Sequence, residues 1–143
     1  MKHIHDRFHA APVATYSRYK EMRIMFIREL KDCEEFVAGD NCLLREILHP
    51  DKAELALRYS LAHAVVKPGD TTWKHRLRTS EVYYVIEGDG VMHIDNENAP
   101  VRPGSTVYIP PKAVQSITNS GKKDLVFICI VDPAWRKEDE EVV

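Results

Sequence analysis

Apolar and polar residues alternate in short runs over most of this chain, and the runs at 42–48, 54–66, 72–77, 81–88, 90–95, 105–110, 114–119 and 124–131 read as β-strands. Each is bounded by Gly, Pro, Asn or Asp. Eight such strands predict an all-β fold, a jelly-roll barrel of two Greek keys. Ahead of them, 22–29 is apolar and β-branched enough for one more strand. Asp32 has the residue type and place of a helix N-cap, with Glu34 and Glu35 in the first turn, so 32–38 predicts a single helical turn ended by Gly39. Residues 1–20 show no period and read as an arm ordered only by packing on something else. The Glu138–Glu141 charge cluster reads as a solvated tail. The expected organisation is an arm, strand and helical turn over 1–40, a barrel over 41–132 and an acidic tail over 133–143.

The turns between strands have a mechanism. Pro68-Gly69 and Pro103-Gly104 each join a fixed φ to a permissive one, Asp89-Gly90 bends one strand pair, and Asn119-Ser120-Gly121 closes another.

Composition narrows the partners. A chain of 143 residues can bury a core as one domain. Twenty basic residues against 22 acidic ones give a net charge of -2, which makes no electrostatic case for nucleic acid or an anionic membrane. Cys33, Cys42 and Cys129 are odd in number and far apart, so they read as reduced thiols. No apolar stretch approaches the roughly 20 residues needed to span a bilayer, and histidines and charges stand where a signal peptide would have its apolar core. A cytoplasmic protein is expected.

Two stretches carry recognisable chemistry. The first places Gly69, His75, Glu81 and Gly88 in the spacing G-x5-H-x-H-x3-E-x6-G, with Leu77 where the second histidine belongs. The second places Gly104, Pro110 and Asn119 in the spacing G-x5-P-x-G-x2-H-x3-N, with Lys112 in place of glycine and Gln115 in place of histidine. Fifteen residues separate Gly88 from Gly104. In order, spacing and punctuation the chain resembles the cupins over about 41–132.

The resemblance implies a site as well as a fold. Carried over residue by residue, it implies one divalent metal ion, with Mn, Fe, Zn and Ni all admissible, held by His75, Glu81 and Gln115 while Leu77 fills the fourth corner. One imidazole, one carboxylate and one amide oxygen favour non-redox Lewis-acid chemistry of an isomerase or lyase over the oxidative chemistry of a dioxygenase. A small polar or carboxylate substrate is expected, lined by Tyr59, Tyr83 and Leu77, with Tyr83 and His63 as the groups that orient it or transfer a proton. His63 is expected to face inward, because its same-face neighbours Tyr59, Leu61 and Val65 are larger than Ser60, Ala62 and Ala64 on the other face, and large residues fill a small barrel. The alternative is a non-catalytic small-molecule-binding cupin with a degenerate metal site, in which His75 and Glu81 form a hydrogen-bonded pair and Gln115 serves the ligand. His49 reads as a turn residue and His93 as an exposed strand residue. A homodimer is expected, with the N-terminal segment packing on the partner or extending its sheet.

Overall fold

The computed structural model describes residues 25–143. Its strands are β1 (Glu35–Val37), β2 (Leu43–Leu48), β3 (Ser60–Val66), β4 (His75–Leu77), β5 (Ser80–Glu87), β6 (Gly90–Ile94), β7 (Glu97–Val101), β8 (Thr106–Ile109), β9 (Gln115–Asn119), β10 (Leu125–Asp132) and β11 (Glu140–Val142). They form two antiparallel sheets, one ordered β1-β2-β3-β10-β5-β8 and the other β11-β4-β9-β6-β7. The crossovers from β3 to β10 and from β4 to β9 are those of a jelly roll. Among the described residues no helix is long and apolar enough to cross a membrane.

Burial follows the period of two. On β5, Glu81, Tyr83 and Val85 are buried while Tyr84 and Ile86 are exposed; on β10, Leu125, Phe127, Cys129 and Val131 are the buried set. These inward faces meet Met92 of β6 and Ile117 of β9 from the other sheet to make the core. Gly88 is required between β5 and β6: its φ is +84°, and a Cβ there would lie 2.5 Å from the Asp124 carbonyl oxygen.

Lys112 occupies the position where the second motif has glycine, and its φ is +70°. Its amide donates to the Leu77 carbonyl at 2.7 Å, so the turn that carries β9 is anchored on β4. A side chain in the left-handed region costs about 1–2 kcal/mol. Lys112→Gly is therefore expected to raise stability by about 1 kcal/mol, read as a higher urea midpoint at an unchanged slope.

Four expectations are corrected. The helical turn forms earlier, as a 3-10 turn at Leu30–Asp32, and Glu35–Val37 is a strand. One turn of helix is marginal alone, and these residues instead pair with β2, Glu35 opposite Arg45 and Val37 opposite Leu43. Within 22–29, residues 25–29 form no strand, while 22–24 and the arm at 1–20 lie outside the described residues. The strand expected over 54–66 starts only at Ser60. Before it, Leu55 and Leu57 donate to the carbonyls two residues back, at 2.8 and 2.9 Å, so this part folds on itself. Glu140 and Glu141 do not remain in a solvated tail: β11 pairs with β4, with Glu140 opposite Leu77 and Val142 opposite His75. Arg76 holds this strand by an ion pair with Glu141 at 2.7 Å.

The Ala134–Trp135 segment that leads to β11 is pinned by its backbone. The Ala134 amide donates to the Arg58 carbonyl at 2.7 Å and the Trp135 amide to Ser60 Oγ at 2.9 Å. His49 is the turn residue expected: its Nδ1 accepts the Asp51 amide, so Nε2 carries the proton and donates to the Trp135 carbonyl at 2.8 Å. The three cysteines are free and buried.

Candidate functional site

A cavity of about 540 Å3 opens at one end of the barrel, between β2, β3, β5 and β10 on one side and β4 on the other. Its mouth is built by residues 36–40 and 135–142, the segments that flank the barrel in sequence. His75 and Leu77 enter from β4, and Glu81 and Tyr83 from β5. Spacing puts each pair on one face of its strand, and strand curvature brings the two pairs together.

Two of these groups, Glu81 and Tyr83, form a buried hydrogen-bonded chain with Gln115, which is not among the cavity-lining residues. The Tyr83 hydroxyl donates to Gln115 Oε1 at 3.0 Å, and Gln115 Nε2 donates to Glu81 Oε2 at 2.9 Å. Gln115 is 1% exposed and sits on β9 opposite His75. Burial pushes the Glu81 carboxyl up to about 8; the hydrogen bond from Gln115 works against this, and the charges of Asp40 and Glu140 add to it. Tyr83 is held well above the usual phenol range by burial and then by Glu81. Its ring packs on Phe127 with centroids 4.5 Å apart.

His75 is fixed by its backbone surroundings. Nδ1 lies 2.9 Å from the Trp73 carbonyl and donates to it, which leaves Nε2 as the nitrogen turned to the cavity, 4.0 Å from Asp40 Oδ2. The Trp73 amide in turn donates to the Asp40 carbonyl at 2.8 Å, which ties the Asp40 turn to the strand of His75. Asp40 and Glu140 are cavity residues that the motifs do not mark. Asp40 belongs to a turn outside both motifs, and Glu140 reads as part of a solvated acidic run until its pairing is known.

Two more expected residues lie outside the cavity. His63 is not at the cavity: Ser60, Ala62, Ala64 and Val66 form the inward face of β3, and His63 lies on the outer face opposite Arg45 and Ile128. The small residues face in because Tyr83 and Phe127 already fill the interior, so size misleads here. On that face, partial burial and the nearby Arg45 charge lower the His63 pKa. Tyr59 precedes β3, is 40% exposed and does not line the cavity.

The cupin domain model matches residues 62–131, and a protein of Methanocaldococcus jannaschii is 38% identical over 116 residues, 80% of this chain and 92% of that protein. The chain belongs to the cupin family. An oxalate-binding protein of Thermotoga maritima is 30% identical over 90 residues, 62% of this cupin and 69% of the relative. In fold the cupin matches the crystal structure of a predicted oxalate decarboxylase from Thermotoga maritima with a TM-score of 0.67 at 18% identity, over 76% of this chain and 99% of the other.

The donors of this cupin do not fit the four-ligand metal site of the family motif. Leu77 offers no donor, and both ends of the Gln115 amide are engaged, one by Tyr83 and one by Glu81. Among the described residues no three His, Cys, Asp or Glu side chains are grouped to hold an ion. His75 and Glu81 remain as an imidazole and a carboxyl that face the cavity from β4 and β5.

Proposed function

We propose that this cupin binds a small organic molecule in its barrel without a resident metal. The observation that carries the reading is the chain Tyr83–Gln115–Glu81, in which the position of a family histidine has become a buried amide joining a phenol to a carboxyl. Such a chain is complete by itself and orients the cavity floor. The oxalate-binding relative supports a small-molecule role, but the lining of this cavity weighs against the carboxylate class expected from the motifs. Asp40 and Glu140 face a dianion with no metal to balance it. Most of the remaining wall is apolar, including Leu44, Leu77, Phe127 and Trp135.

The test is metal analysis of untagged protein reconstituted with Mn²⁺, Fe²⁺, Ni²⁺ and Zn²⁺, together with thermal shift against a small-molecule library with and without chelator. Substoichiometric metal and ligand shifts that survive the chelator are expected. One equivalent of metal that falls when His75 is changed to alanine overturns the reading.

A second reading rests on Glu81. A carboxyl that keeps its proton to about pH 8, facing the same cavity as the His75 imidazole, has the pKa of a general acid or base. In this form the cupin is an isomerase or lyase that works by proton transfer, with Glu81 exchanging the proton and Tyr83 orienting the substrate. Turnover of a bound ligand that Glu81→Gln abolishes while leaving its affinity intact separates this from pure binding.

The homodimer belongs to the same proposal. Its contact is placed on the outer face of the six-stranded sheet, where Tyr84, Ile86 and Tyr108 are 48%, 47% and 62% exposed on neighbouring β5 and β8. These side chains carry no charge, so two copies can meet there without burying like charges. Tyr84→Glu combined with Tyr108→Glu is expected to halve the mass in light scattering; a mass unchanged by the pair moves the contact elsewhere.

A further inference from the structure

Three polar groups at the cavity outside the hydrogen-bonded chain, Asp40, His75 and Glu140, present acceptors to it. Asp40 is 7% exposed; its Oδ1 accepts the Cys42 amide at 3.2 Å, and Oδ2 has no donor among the described residues. His75 is 4% exposed; with Nδ1 donating to the Trp73 carbonyl, Nε2 is the acceptor of the neutral tautomer and has no hydrogen-bond partner among the described residues. Glu140 accepts the Trp135 indole N–H on Oε2 at 3.1 Å. Its carboxylate lies over Gly39, where a Cβ would come within 3.3 Å of Oε2, so a glycine leaves room for it at the mouth. The cations nearby do not neutralise this group. Lys52 is paired with Glu46, and Lys137 is exposed at the rim.

A ligand end that meets these three groups has to donate. Asp40 Oδ2 and His75 Nε2 are 4.0 Å apart, close enough for one nitrogen to reach both at ordinary lengths of about 2.8–3.0 Å. An alcohol brings one donor and a carboxylate none, whereas a primary ammonium brings three together with the charge that two carboxylates favour. The rest of the ligand meets Leu77, Phe127 and Trp135, a wall for an aryl or alkyl body.

We propose that the cavity binds a primary amine, whose ammonium donates to Asp40, His75 and Glu140 and whose apolar body lies against Leu77, Phe127 and Trp135. This rests on the reading of the cavity as a metal-independent binding site and names the ligand class it takes.

Three probes with one body and different heads test it: 2-phenylethylamine, 2-phenylethanol and phenylacetate, titrated by calorimetry into the chelator-treated full chain at pH 7. The amine is expected to bind about tenfold tighter than the alcohol, with phenylacetate weakest. Asp40→Asn is expected to lower amine affinity about tenfold more than alcohol affinity. Should that variant fold poorly, Glu140→Gln at the mouth is expected to act in the same direction. Phenylacetate binding as tightly as the amine, equal amine and alcohol affinities, or variants that leave the amine unaffected all overturn the amine while leaving the metal-independent site standing. Binding that appears only with added Zn²⁺ or Mn²⁺ overturns both, and absence of binding by all three probes overturns the amine.

Discussion

Glu81→Gln is expected to flatten the pH dependence of stability in chelator-treated protein and to make the protein more stable than the wild type at pH 8. In the fold the Glu81 carboxyl is pushed up to about 8, mainly by burial and with help from Asp40 and Glu140, from an ordinary value of 4.5. Between those two values the folded state keeps a proton that the unfolded chain releases. Stability is therefore greatest below pH 4.5 as far as this group decides it, and is lost as pH rises toward 8. One proton corresponds to roughly 1 kcal/mol per pH unit, about 3–5 °C in Tm for a domain of this size. Glutamine at 81 keeps an oxygen to accept from Gln115 and has no proton to lose, so its Tm should not fall over the same interval. Thermal melts at several pH values read the difference. A wild-type curve as flat as the variant's means that a positive charge holds Glu81 ionised.

Asn119→Ala is expected to be the most destabilising single substitution outside the apolar core, by about 3–5 kcal/mol. Asn119 is 1% exposed and all its polar atoms are engaged. Its Nδ2 donates to the Val66 carbonyl at 2.8 Å and the Lys123 carbonyl at 2.7 Å, while Oδ1 accepts the Gly121 amide at 2.9 Å. It thus ties the end of β3 to the turn between β9 and β10, one sheet to the other. Alanine leaves two carbonyls and an amide without partners, in a protein whose total stability is of order 5–15 kcal/mol. Asn119→Asp keeps the acceptor but loses both donors, so it should rescue little. Urea midpoints decide; a loss under about 1 kcal/mol would mean that water replaces the side chain.

What the motifs made legible was the barrel and its inward wall. Gly69, Gly88 and Gly104, all at positive φ, and the Asn119 turn locate the strand ends, and the period of two then places His75, Leu77, Glu81 and Tyr83 at one cavity. The pieces that escaped notice are short edge strands whose composition argues against them. β7 contains Pro100, which an edge tolerates because one side of the strand needs no ladder donor. β11 begins with two glutamates, and its place depends on Arg76 and the exposed edge of β4, neither visible as a local pattern. His63 was misplaced for a related reason. Which face of β3 is inner depends on how much space Tyr83 and Phe127 take from across the barrel, a question of total volume that one strand cannot answer.

The closure of the mouth by Gly39, Glu140 and Trp135 separates this protein into a frame and an interchangeable collar. The Asn119 staple and the glycine turns that hold the frame contribute nothing to the lining of the mouth, while the collar comes from segments outside both motifs. Descendants of one barrel can therefore exchange collars and change their ligand while keeping the motifs intact. The family match over 62–131 covers His75, Leu77 and Phe127 but not residues 36–40 and 135–142, whose share of the ligand wall has to be compared separately.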